Sequence, residues 1–409
     1  MTNEKGLATL AADTANQRNA LAAGFLGWTL DAFDFFVLTF VLGPVAKDFQ
    51  VSIPDVALAL AASLVTRPVG AVIFGLMADH YGRRLPMALN VAFYTAVEVL
   101  SGIAPNYTTF FVLRLLYGIG MGGEWGVGAS LAMESVPARW RGTLSGLLQE
   151  GYAFGSLLAA IAYFVIFPRW GWRPLFFIGT VPAAATLLIL AKVKETDAWR
   201  QSRTDWATYK GTIFKNWKLF LYLVLLMTMM NCMSHGTQDL YPTFLQRQRH
   251  FDSHRTAKTS MISMVGAILG GLAFGLYSDR CGRRRAMVIA ALLAAALTPV
   301  WILAPTLSLL VLGAFLMQFM VQGAWGVIPA HINELSPSSM RGFFPGFAYQ
   351  LGVLCASSIG YVEALLGEHF SYTQSMGVLA ATVLLVGAAV IALGPEAHAV
   401  SFGKEDVSV

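Results

Sequence analysis

Apolar stretches of about twenty positions recur along the whole chain, separated by short polar segments. In 174–191, 286–304, 307–330 and 376–394 no charged side chain interrupts the run. Each is long enough to cross a hydrocarbon layer of roughly 30 Å as a helix. The same rule applied to the rest predicts twelve helical spans, centred near residues 31, 67, 95, 120, 155, 183, 230, 267, 295, 319, 354 and 385. The expected fold class is therefore an all-α integral membrane protein with twelve transmembrane helices. Residues 1–19 are polar and of mixed charge, and they lack the basic start, short apolar stretch and small-residue cleavage site of a signal peptide. They are expected to stay in the cytoplasm.

Composition agrees with the pattern. Apolar residues make up 56% of the 409 positions and charged residues 12%, about half the ~25% usual in soluble domains. Most of the 28 Lys and Arg side chains fall on one side of the membrane if both termini are cytoplasmic, and basic loops stay on that side. The net charge of +5 is thus a topology signal, and no nucleic-acid partner is expected. Cys232, Cys281 and Cys355 have no metal-ligand spacing and read as inert thiols.

The chain is also one unit written twice. Residues 75–84 carry Gly75-Leu76, Asp79 and Gly82-Arg83-Arg84, and 200 positions later Gly275-Leu276, Asp279 and Gly282-Arg283-Arg284 repeat them. Trp125, Glu134, Pro137, Arg141 and Gly146 recur as Trp325, Glu334, Pro337, Arg341 and Gly346. An even number of spans per copy keeps the orientation, so these are parallel repeats about an axis along the membrane normal. The expected segments are a cytoplasmic N-terminal stretch 1–19, a six-helix bundle 20–191, a cytoplasmic linker 192–216, a second six-helix bundle 217–394 and a cytoplasmic tail 395–409. Glycines at four-residue spacing, Gly118, Gly122 and Gly126 in the fourth span and Gly266, Gly270, Gly271 and Gly275 in the eighth, predict close helix packing.

The repeated 75–84 segment resembles the signature loop between the second and third helices of major facilitator superfamily transporters. The resemblance covers essentially the whole chain and implies two pseudo-symmetric six-helix bundles. His80 stands where that loop commonly has Arg or Lys. Asp79, Arg83, Asp279 and Arg283 are expected to serve as gate or scaffold, an Asp at a helix end being able to pair across the halves.

Charge inside the membrane costs about 2.5–3.5 kcal/mol per residue on insertion scales, so each such residue needs a partner or a wet cavity. The predicted spans hold Asp31, Asp34, Arg67, Glu98, Arg114, Glu124, Glu150, His235, Asp239 and Glu363, with His331 near an inner end. The repeat shows which of these the architecture demands. Asp31, Asp34, Arg67, Glu98, Arg114 and Glu124 correspond to Asn231, Ser234, Ala267, Thr298, Ala314 and Ala324, so the scaffold does not require their charge. Arg67 is a candidate to bind a carboxylate bidentately, the alternative being an internal salt bridge to Asp31 or Asp34. Phe33, Phe35, Phe36, Tyr152 and Phe154 either line a small cavity or pack as ordinary core, and Gln350 is a candidate polar contact from the second half.

The seventh span is the most polar. Asn231, Ser234, His235 and Gln238 share one helical face with Asp239 at its margin, and Gly236 and Pro242 weaken the helix nearby. This segment resembles the signature of the Jen lactate and pyruvate:proton symporters, with Asn231, Ser234, His235, Thr237, Gln238, Asp239 and Thr243 at its fixed positions. Arg67 falls where the resemblance implies a carboxylate-binding arginine, and the related sialate:proton symporters are similar. The resemblance implies a secondary transporter moving a small monocarboxylate with a proton, sialate or a dicarboxylate being the competing substrates. Substrate contacts are expected from Arg67, Asn231, His235, Gln238, Tyr241 and Gln350, and proton coupling from His235, Asp239, Asp31 or Asp34. No hydrolase, zinc-protease or nucleotide-binding motif occurs. The chain is expected to be no enzyme, to need no cofactor or metal, and to work as a monomer in the cell membrane.

Overall fold

The computed structural model describes residues 2–203, 206–357 and 369–402, and among them every regular element is a helix. The first half contains α1 (Thr2–Phe49), α2 (Ile53–Tyr81), α3 (Arg84–Gly102), α4 (Tyr107–Ser135), α5 (Arg141–Gln149), α6 (Gly151–Trp170), α7 (Arg173–Ile178) and α8 (Thr180–Lys192). Two linker helices follow, α9 (Asp197–Ser202) and α10 (Trp206–Lys215). The second half contains α11 (Trp217–Gln238), α12 (Tyr241–Arg247), α13 (Ser253–Cys281), α14 (Arg283–Leu303), α15 (Leu307–Leu335), α16 (Phe344–Ala356) and α17 (Tyr372–Leu393).

Ten spans among the described residues are apolar and long enough to cross a membrane, with α5–α6, α7–α8 and α11–α12 pairing into single spans. The helix α4, 29 residues and roughly 43 Å long, packs against α1, α2 and α3. The helix α16 leads toward 358–368, which lie outside the described residues together with Glu363. The helix α1 starts at Thr2 and runs unbroken into the first span until Val41, where non-helical dihedrals precede Pro44.

The sequence repeat is a structural repeat. Both α2 and α13 are 29 residues long, and Ser52 and Asp252 cap them through the backbone N–H groups of Asp55 and Arg255. Both α4 and α15 are 29 residues long as well, capped by Asn106 and Thr306. Gly82 and Gly282 end α2 and α13 at φ of 101° and 94°, a region that side-chain-bearing residues avoid. A polar side chain at each of these four helix starts satisfies donors that an apolar solvent would leave bare.

Within each half, small residues bring helices into backbone contact. A Cβ on Gly118 or Gly122 would strike the α2 backbone at Ser63 or Arg67, and one on Gly266 or Gly270 would strike α15 at Phe315 or Phe319. Large apolar side chains such as Phe164, Val181 and Leu393 face outward, as lipid contact allows. The halves meet near the loops bearing Arg83 and Arg283, here termed the basic end, where α5 packs on α13 and α15, and α16 packs on α2 and α4. Gly126 touches Gly346, and Gly146 touches Gly271. Past Tyr152, α6 finds no comparable packing in the second half among the described residues.

Candidate functional site

The buried Arg67 side chain enters from α2, where Pro68 and the Gly122 contact fix its backbone against α4. Its Nη2 lies 3.5 Å from Asp31 Oδ2, and Nε is buried without a hydrogen-bond partner among the described residues. A guanidinium carries five donors, and leaving them unmade in a low-dielectric site is costly. The Asp31 contact, one of the alternatives read from the sequence, is thus real but leaves donor capacity unused. Asp34 turns away toward Gly179 and lies in electrostatic reach of Glu98 and Arg114. The last two form a buried pair at 2.6 Å, with the guanidinium also 4.6 Å above the Tyr117 ring.

Aromatic rings surround this point. Tyr152 of α6 lies 5.4 Å from Trp28 and from Phe36, and Trp28 lies 6.3 Å from Tyr349 of α16. Tyr349 stacks on Trp125 at 4.5 Å and meets Trp325 edge-on at 6.1 Å. Arg67 and Asp31 of the first half and Asp239 of the second all lie in electrostatic reach of the Tyr152 hydroxyl. Gln350 donates to Gly122 O at 3.4 Å, joining the halves below the rings.

On α11, Ser234 accepts from Gln322 at 3.0 Å and Gln238 donates to Gln318 at 2.6 Å, both partners being on α15. His235 Nδ1 lies 3.2 Å from Asp239 Oδ2, with both side chains close to half exposed at the C-terminal end of α11. Asn231 is buried and donates to Met227 O of its own helix. Tyr241 lies apart from these groups. The turn after Gln238 starts α12 and carries Tyr241 into the second bundle, where its ring stacks on Trp301 at 5.1 Å and its hydroxyl approaches Trp301 O. Gln318, Gln322, Trp28 and Tyr349 were not singled out from sequence. Gln318 and Gln322, four residues apart in an uncharged run, were the available signal for the first two.

The basic end holds a second constellation. Asp79 accepts backbone N–H groups of Gly342 at 2.7 Å and Phe343 at 3.1 Å, and Asp279 accepts those of Gly142 and Thr143, both at 2.8 Å. Each carboxylate caps a helix start in the opposite half. Arg83 holds Asp79 and Glu134, and Arg283 holds Asp279 and Glu334. Arg141 reaches across to Glu334 at 2.9 Å, while Ser130 donates to Arg341 O. The linker adds Tyr209, whose hydroxyl donates to Asp79 Oδ2 at 3.0 Å; burial first, then the Asp79 carboxylate, push this phenol far above its usual range. From the C-terminal segment, Phe402 covers the guanidinium groups of both Arg141 and Arg341 at 3.7 and 3.9 Å.

A sequence profile described as the Major Facilitator Superfamily matches residues 24–270 and 240–406. The chain belongs to that superfamily. It is a membrane transporter of the twelve-helix fold and not an enzyme. It is 28% identical to a carboxylic acid transporter protein homolog of Saccharomyces cerevisiae, over 92% of this chain and 68% of the yeast protein. It is 27% identical to the sialic acid transporter NanX of Escherichia coli, over 91% of this chain and 94% of that protein. Among solved structures, the proton:xylose symporter XylE superposes with a TM-score of 0.74 at 18% identity, covering 96% of this chain and 98% of XylE, which speaks to the fold.

Proposed function

We propose that this transporter moves a small organic acid anion together with a proton by alternating access, with a monocarboxylate such as lactate or pyruvate as substrate. The reading rests on one observation above all: a buried guanidinium, Arg67, under-used by its one long contact to Asp31 among the described residues and in electrostatic reach of Tyr152 and Tyr349. A carboxylate there would gain a charge-assisted pair in a site of low dielectric. The half-exposed His235–Asp239 pair with Gln238 and Ser234 would present donors and acceptors to the remainder of the anion. The two relatives named for carboxylic and sialic acid transport support an organic acid; sialate and dicarboxylates are the competing substrates.

With the basic end cytoplasmic, the two Asp caps form the closed inner gate and the conformation is outward-facing. Transport would require the caps to break as the halves rock about the midplane. Uptake of lactate, pyruvate, succinate and sialate into liposomes, with and without an inward proton gradient, tests the reading. Accumulation of a monocarboxylate that follows the gradient is expected; gradient-independent accumulation of all four would overturn it.

A further inference from the structure

One buried carboxyl group has no place in the pairs above. Glu124 is fully buried on α4, and both its oxygens lack a hydrogen-bond partner among the described residues. Asn90, also fully buried, has both amide atoms unpartnered, and so is the Tyr94 hydroxyl. All three lie on the packed helices α3 and α4, around one buried spot. Tyr94 lies in electrostatic reach of Glu124, and Met87 and Tyr94 bracket Asn90 on the buried face of α3. The pocket is also built to hold the carboxyl: a Cβ on Gly27 would overlap Glu124 Oε1 and crowd Met87, and one on Gly128 would meet the same oxygen at 3.1 Å.

The repeat shows that the fold does not demand such a pocket. Gly27, Asn90, Tyr94 and Glu124 correspond to Met227, Ala290, Ala294 and Ala324, all buried and apolar. One half fills the position with hydrocarbon, whereas the other keeps polar groups with nothing to bind. The charged or titratable groups facing Glu124 are Asp31 of α1, Arg67 of α2, Tyr94 of α3 and Tyr349 of α16. The carboxyl therefore sits beside the pair that would receive the substrate.

We propose that Glu124, in its pocket with Asn90 and Tyr94, carries the proton that travels with the anion. The proposal rests on the symport reading above. A carboxyl group sealed from water without donors is tolerated as the neutral acid and not as the anion. In the outward-facing, substrate-free state the proton is bound first, and the anion then pairs with Arg67 beside a neutral neighbour. After reorientation the anion leaves, and the proton leaves Glu124 once water reaches it from the cytoplasmic side. One proton and one negative charge enter and leave per cycle.

Glu124→Gln keeps the size and the neutral form but cannot release a proton. In liposomes, wild-type protein should accumulate whichever of lactate, pyruvate, succinate and sialate it transports when the interior is alkaline. The variant should lose that accumulation at least tenfold while still exchanging labelled for unlabelled anion, a retained activity that excludes misfolding. Failure of the gradient to drive wild-type uptake defeats the symport reading; gradient-driven accumulation by the variant defeats the assignment of Glu124 alone. Infrared difference spectra of the purified protein across a pH titration give a substrate-independent arm. A protonated-carboxyl band that disappears in Glu124→Gln is expected, and a titration unaltered by the substitution overturns the proposal.

Discussion

Asp79 reaches across the two halves to accept the Gly342 backbone N–H at 2.7 Å, and Asp279 does the same to Gly142 at 2.8 Å in the mirrored direction. The two halves are thus joined by the same device used twice. A hydrogen bond to a charged group contributes about 1.5–3 kcal/mol, and each 1.4 kcal/mol is a tenfold change in population. Asp79→Asn and Asp279→Asn should each shift the protein toward the state open at the basic end by roughly tenfold or more. Cysteine labelling from that side in inverted vesicles measures the shift.

Arg67→Ala should abolish uptake and also destabilise the fold, because it strands the buried Asp31 carboxylate. Breaking one side of a buried pair costs about 3–5 kcal/mol. Arg67→Ala with Asp31→Ala should regain much of the thermal stability and none of the transport. Uptake assays and thermal unfolding in detergent separate the two effects.

His235 and Asp239 behave differently because both are nearly half exposed. Such a pair is worth at most about 1 kcal/mol. His235→Gln and Asp239→Asn should therefore leave the unfolding temperature almost unchanged while reducing uptake. A large loss of stability would place the pair in the scaffold instead.

Gly122→Ala should fail where Gly43→Ala succeeds. A methyl at Gly122 would overlap the Arg67 backbone, whereas the space around Gly43 is open. Overpacking costs typically 1–3 kcal/mol, and here it also displaces the guanidinium from its site. Expression, unfolding temperature and uptake of the two variants provide the comparison.

Phe402→Ala should make opening at the basic end easier, since the ring covers one guanidinium from each half. Cation–π contacts contribute about 0.5–2 kcal/mol each. Labelling at the basic end should rise severalfold, with binding at Arg67 unaffected.

Much of this protein is legible in its sequence. In lipid every backbone group must be bonded within its own segment, so a run of about twenty apolar residues is a helix with little freedom to be anything else. The 200-residue repeat set the two halves, and the charges it does not share, Arg67 and Glu124 among them, marked positions that the scaffold does not demand. What the sequence left open is how each helix is turned. Lipid and bundle interior are equally apolar, so hydrophobicity does not say which face points inward. Only the tertiary structure decided that Arg67 meets Asp31 and not Asp34, that Tyr241 packs on Trp301, and that Asp79 caps the opposite half. It also brought Glu124 of α4 toward Tyr94 and the unpartnered face of α3, a proximity that depends on helix rotation and on the bare Cα of Gly27.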